Sequence, residues 1–237
     1  MYSALDSTFD GVSSVLLSDD SLGQEAVIVP GIGANCVSYK ITHRGDRIDV
    51  LYPPPDAATL GERPSGFGIP ILFPWPNRIE DSRFTFDGRE VQLPVSDPSR
   101  PHELHGFVMG RPWDVVEKGA SEDEGAFVRC RFRATDFPEI GAQYPFAFDA
   151  TATYVLKDGA LSLTVAGLNT GYDRVVTRRT GDAVSFWYYA GATLLAVDAA
   201  NAPRGYMIGK RLIEAGKSPS PNVIADPETD MKALLKA

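Results

Sequence analysis

The chain has 237 residues, of which 43% are apolar and 23% charged. That balance excludes global disorder and suits one large β domain, burying about 70% of the surface its unfolded chain exposes. A formal net charge of −8 repels phosphate backbones, so no nucleic acid is expected as a partner.

Taken from the start, "MYSALDSTFDGVSSVLLSDD" (residues 1–20) has neither a basic start nor a long apolar run, so no signal peptide is expected. "EAVIVPGIGANCVSYKITHRGDRIDVLY" (25–52) reads as two or three strands joined by glycine turns. "FTFDGREVQL" (84–93) alternates Phe84 and Phe86, turns at Asp87-Gly88, then alternates Val91 and Leu93. An Asp-Gly pair suits the type I′ turn of a hairpin. "FVRCRFR" (127–133) places Val128, Cys130 and Phe132 on one side of a strand and Arg129, Arg131 and Arg133 on the other. The arginine row is expected to be a solvated face opposite acidic neighbours. "FDATATYVLKDGALSLTVAGLNTG" (148–171) is a longer hairpin. Phe148, Ala150, Ala152, Tyr154 and Leu156 share a face, and Leu161, Leu163 and Val165 return after Asp158-Gly159.

"AVSFWYYAGATLLAV" (183–197) is too short for a membrane span and rich in small residues, so a cytoplasmic address and no membrane partner are expected. "DPETDMKALLKA" (226–237) reads as a short helix with acids first and lysines later, as the helix dipole favours. No convincing amphipathic helix precedes residue 190, and there is no repeat or obvious linker. Cys36 and Cys130 lie far apart and are expected to be buried, reduced thiols. The expectation is therefore a single, mostly antiparallel β domain over residues 1–237.

Two segments invite chemistry. "GIGAN" (31–35) lacks the third glycine and the following helix of a dinucleotide loop, so a tight turn is the better reading. In Pro74-Trp75-Pro76-Asn77-Arg78, the prolines stiffen the backbone and bias Phe73 and Trp75 toward extended geometry. Arg78 then presents a planar fork suited to sugar hydroxyls, and Trp75 offers an apolar face to C–H groups. The alternative is an ion pair of Arg78 with Glu80 or Asp81.

With "HELHGF" (102–107) added, the sequence resembles the aldose 1-epimerase, or galactose mutarotase, family. The matching stretches are "GIPILFPWPNRI", "FTFDGREVQLP", "LHGFVMGRPWDV" and "YPFAFDATATYVLKDGALSLTVAGLNTG", in the family's order over roughly residues 23–171. The resemblance implies an antiparallel β supersandwich, open to being incomplete at its C-terminus. It also implies interconversion of the α and β anomers of a free aldohexose by acid/base ring opening. Arg78 and His105 match substrate contacts, and Asn77 is the motif neighbour that positions the turn. His102, His43 and Trp113 match nothing functional. The partner implied is a small-molecule sugar, with no metal or organic cofactor.

The family's acid, a histidine soon after the "NTG" turn, and its base, a late glutamate, find no counterpart here. No histidine follows His105, and Glu214 and Glu228 lie in unrelated contexts. Residues 172–237 thus read as a divergent segment, with three accounts open. The chain is a relative whose acid is His105 or a tyrosine such as Tyr172, or a sugar-binding protein without turnover, or a chain whose reading frame changes after about residue 171. A tail foreign to the fold would leave sandwich edges exposed and favour association with another chain.

Overall fold

The computed structural model describes all residues except 87, 96–101, 172, 173, 181 and 237. Asp87 of the predicted hairpin turn and Tyr172 therefore lie outside the described residues. The chain divides into two compact units, Met1–Leu168 and Asn169–Ala237.

Unit 1 opens with five strands: β1 (Tyr2–Phe9), β2 (Val12–Asp19), β3 (Gln24–Val29), β4 (Asn35–His43) and β5 (Asp46–Asp49). They pair antiparallel in chain order as one meander. The "GIGAN" segment is a turn with Gly33 at φ 72° and Ala34 at φ 48°, and it runs straight into β4. After a short helix α1 (Ala57–Glu62) come β6 (Arg78–Ile79), β7 (Arg83–Phe86), β8 (Arg89–Gln92) and β9 (Glu103–Leu104). A second sheet, in order β10-β11-β12-β13, is built from β10 (Asp114–Ser121), β11 (Gly125–Arg133), β12 (Phe148–Lys157) and β13 (Ala160–Asn169). The helix α2 (Pro138–Gln143) lies between β11 and β12.

The alternation read from sequence is what packs the two sheets together. Val128, Cys130 and Phe132 of β11, and Ala150, Ala152, Tyr154 and Leu156 of β12, share one core with Val15, Leu17, Ala26 and Ile28 of the first sheet. On the opposite face, Arg129 bonds Glu117 at 2.5 Å, while Arg133 reaches Asp114 at 3.1 Å and Asp136 at 2.8 Å. The row is thus a solvated face meeting acids. Cys36 and Cys130 are free and buried, and burial pushes both thiols up to about 12. Leu161 and Leu163 return against the core, but Val165 is 42% exposed.

Unit 2 has a fold of its own, with the antiparallel sheet β14 (Arg174–Thr180), β15 (Ala183–Ala190) and β16 (Thr193–Ala200), followed by helices α3 (Pro203–Glu214) and α4 (Pro221–Ala225). The apolar stretch 183–197 is the β15–β16 hairpin, turning at Gly191 with φ 58°. No helix among the described residues is long and apolar enough to cross a membrane. Trp187, Tyr189, Leu194, Val197, Leu212 and Ile224 form the unit's core. α3 approaches β16 closely because Gly209 faces it; a Cβ there would lie 2.3 Å from Val197 Cγ1.

Arg178 ties the unit's end together. Its guanidinium donates to the carbonyls of Ile224 (3.1 Å), Pro227 (2.9 Å), Thr229 (3.1 Å) and Asp226. The helix expected over 226–237 is corrected to a single 3-10 turn, Ala233–Leu235. Asp226 and Asp230 side chains instead accept from backbone N–H groups two residues on, at Glu228 and Lys232, a turn chemistry that competes with helix.

Candidate functional site

The Pro-Trp-Pro segment threads along unit 1's core. Ile71 and Trp75 are buried, and Phe73 meets Phe148 edge-on with centroids 5.3 Å apart. Trp75 packs against Phe107 (5.0 Å) and Tyr144 (5.7 Å). The expectation that Trp75 offers a face to a sugar is therefore corrected: at 9% exposure its indole belongs to an aromatic core. The Phe73-Pro74 peptide is cis.

The segment is held by a second run of chain beside it. β6 and β9 pair antiparallel, with Arg78 opposite Leu104 and Ile79 opposite Glu103. His105 N–H donates to Asn77 O at 2.9 Å, and Phe107 N–H donates to Phe73 O at 2.9 Å. Gly106 sits at φ 73°, and a Cβ on it would lie 2.1 Å from Phe73 O. Only glycine allows that approach.

Asn77, Arg78 and His105, separated by more than two dozen positions, are thus brought to one place. Asn77 N–H donates to His105 Nδ1 at 3.2 Å, and Arg78 donates to Asn77 Oδ1 at 3.2 Å. Asn77 and His105 both adopt left-handed backbone, with φ 61° and 70°. Side chains of this kind tolerate that region better than most, at a cost of order 1–3 kcal/mol that the surrounding bonds must hold. Asn77 and Arg78 are exposed and His105 half-buried, so a ligand can reach them. His102 plays a comparable structural part, accepting from Asp81 N–H at 3.0 Å. Asp81 is also left-handed, at φ 51°. His43 is exposed, and Trp113 is buried with Nε1 donating to Val108 O at 3.2 Å.

Because His105 Nδ1 accepts a backbone N–H, the neutral ring carries its proton on Nε2. Desolvation, and then the Arg78 charge, hold its pKa below the usual 6.5. The sign of the linkage follows. The unfolded chain takes up the proton more readily, so stability tied to neutral His105 is full above the unfolded value of about 6.5 and is lost as pH falls from there through the lower folded-state value. Melting temperatures of wild type and His105→Gln from pH 8 to 5 check this. The wild-type advantage is expected to shrink on acidification, and a constant gap would contradict it.

Unit 2 holds a cavity of about 630 Å³ lined by Ser185, Pro203, Gly205, Ile208 and Met231, among others. It contains none of the residues singled out from sequence.

The sandwich with its Arg–His corner defines a protein of galactose mutarotase-like fold, and comparisons agree. A galactose mutarotase-like protein from Clostridium acetobutylicum aligns with TM-score 0.65 and 23% identity, covering 81% of this chain and 56% of that one. A GalM/aldose epimerase homologue from C. elegans aligns with TM-score 0.53 and 18% identity, over 82% of this chain and 51% of that one. The uncharacterized protein YihR of Escherichia coli (strain K12) is 30% identical over 102 residues, 43% of this chain and 30% of YihR. The sequence pattern described as Aldose 1-epimerase matches residues 15–177, more than half of the chain. The chain belongs to the aldose 1-epimerase family. It spans about half the length of the solved relatives and less than a third of the curated one. A second pattern, described as Reductase C-terminal, matches residues 158–235.

Proposed function

We propose that unit 1 binds an aldose, with Arg78 and His105 donating hydrogen bonds to its hydroxyl oxygens and Asn77 holding the two in register. The observation that carries this is the Asn77–Arg78–His105 cluster on a rigid, reachable turn. It offers a guanidinium fork and one imidazole N–H side by side, a donor set that matches neighbouring hydroxyls. The same geometry favours binding over turnover. With its pKa depressed and Nδ1 engaged, His105 is neutral near pH 7 and donates from Nε2 rather than delivering a proton to a ring oxygen.

Family membership supports a second reading, anomer interconversion of a free aldohexose, in which acid and base come from groups other than these three. Residues 158–235 support reading unit 2 as a reductase C-terminal-like module joined to the sugar unit. A tail with a recognisable family pattern and a buried core of its own argues against a change of reading frame.

Titration calorimetry with galactose and glucose, beside polarimetry on the freshly dissolved α anomers, tests the proposal. Binding is expected, weakened about tenfold or more by Arg78→Ala, whose charged donor contributes roughly 1.5–3 kcal/mol, and several-fold by His105→Ala, whose neutral donor contributes roughly 0.5–1.5 kcal/mol. Optical rotation is expected to relax at the buffer rate. Failure of both sugars to bind sinks the proposal, and accelerated relaxation moves the function to the second reading.

A further inference from the structure

Among the described residues, unit 2 encloses its cavity of about 630 Å³ with segments of its own. The wall includes Arg178 on β14, Ser185 on β15, Arg204 and Ile208 on α3, and Met231 and Lys232 in the turn that follows α4. That volume lies within the roughly 300–1,000 Å³ of small-molecule sites. A second hollow, of about 440 Å³, shares Arg204, Ile208 and Lys232 and continues over Met207 and Leu235 to Arg211 and Lys236. Ile208, Met231 and Leu235 pack against the unit's core, so the floor of the joined trough is apolar and held in place.

The cations around this floor are uncompensated. Arg204, Arg211, Lys232 and Lys236 make no ion pair among the described residues, and the pair on α3, Lys210 with Glu214 at 3.8 Å, uses a lysine outside both hollows. Arg178 gives its hydrogen bonds to neutral carbonyls, which leave its charge unanswered. Among the described residues Asp230 is the one acid lining either hollow, and its Oδ1 already accepts from Lys232 N–H at 2.9 Å. Unit 2 holds nine lysines and arginines against seven acids, although the whole chain stands at −8. A buried donor is left over as well. Ser185, only 3% exposed, accepts from Trp187 Nε1 at 2.9 Å and has no acceptor for its own hydrogen among the described residues.

We propose that this trough binds a small amphipathic anion, a medium-chain alkyl carboxylate being the simplest case. Its head sits on Arg204 and Lys232, the cations common to both hollows, and its chain runs over Ile208 and Met231. Unpaired cations in a concave site with apolar walls focus a positive potential that draws in an anion. The same walls favour a ligand that takes apolar surface out of water on binding. A free sugar answers neither demand, and inorganic phosphate answers only the first. The site is separate from the Asn77–Arg78–His105 cluster of unit 1 and does not rest on sugar binding there.

Titration calorimetry of the full chain with octanoate, below its micelle concentration, tests this beside acetate and 1-octanol. Octanoate is expected to bind at least tenfold more tightly than acetate, which lacks the chain, or 1-octanol, which lacks the charge. Arg204→Glu and Lys232→Glu are each expected to weaken octanoate tenfold or more. Lys210→Glu makes the same charge change on α3 outside both hollows and is expected to shift binding less than twofold. Absence of octanoate binding overturns the proposal, and so does equal binding of 1-octanol. Binding that survives both Arg204→Glu and Lys232→Glu, or that Lys210→Glu weakens as much as they do, also overturns it. A variant that loses circular dichroism is replaced by Arg204→Gln or Lys232→Gln, read in the same way. Galactose titration of Arg204→Glu is expected to match wild type, so the two sites fail separately.

Discussion

Replacing Gly106 by alanine is expected to abolish sugar binding by unit 1 and to lower its stability by roughly 2–4 kcal/mol, the sum of left-handed strain and overpacking. The methyl group would stand 2.1 Å from Phe73 O and 2.4 Å from Phe73 C, both backbone atoms with no rotamer to yield. Relief requires the two runs of chain to part. That removes the Phe107–Phe73 bond and then the His105–Asn77 bond that sets the imidazole beside Arg78. Gly45→Ala is the matched comparison. Its φ of 89° carries similar backbone strain, yet nothing lies within 4 Å of the new Cβ, so about 1 kcal/mol and unchanged binding are expected. Chemical denaturation with calorimetric titration of both variants distinguishes them, and equal behaviour would refute the close-approach argument.

The second large effect is expected in unit 2. Trp187→Ala should remove about 3–5 kcal/mol, because its side chain is fully buried and its Nε1 donates to Ser185 Oγ at 2.9 Å. A unit this small commands only about 3–10 kcal/mol in all, so the loss approaches its whole stability. Hydrogen exchange should then show β14–β16 unprotected while β11 and β12 of unit 1 keep their slow amides. Trp187→Phe, which refills most of the volume, should retain protection in β14–β16. Simultaneous loss across both units would mean that they melt as one body.

How much of this was legible in the sequence differs between the units for physical reasons. The β11–β12–β13 run was readable because one face is buried and the other wet, so side-chain polarity alternates with the backbone period. The last residues of β13 broke the pattern: Val165 and Leu168 are apolar but exposed, so polarity there no longer reports which side is buried. In unit 2 the apolar stretch 183–197 has small residues on both faces, which hides a hairpin, and Gly205 and Gly209 dilute the helix signal of α3. Gly209 is there for close packing on Val197, information that resides in the partner strand rather than in the helix. The resemblance to epimerases held over unit 1 but directed attention to what residues 172–237 lacked, not to what they built.

The site was half legible. Proline stiffness and the Arg78 fork could be read locally. The pairing that brings His105 to Asn77 spans two residues on each of β6 and β9, too short for any periodicity to register. The left-handed backbone at Asn77 and His105 likewise leaves no mark in composition. Only the family resemblance joined the two segments, while the local reading of Trp75 as a ligand face failed because the aromatic core already occupies that face.

The clasp of Arg178 on the carbonyls of Ile224, Asp226, Pro227 and Thr229 bears on the order in which unit 2 closes. A planar fork serves several acceptors only where they already converge, and a lysine of equal charge, a compact point donor, would not replace it. The last loop is secured by the shape of one side chain borne on β14, so that strand must be in place before the loop can settle.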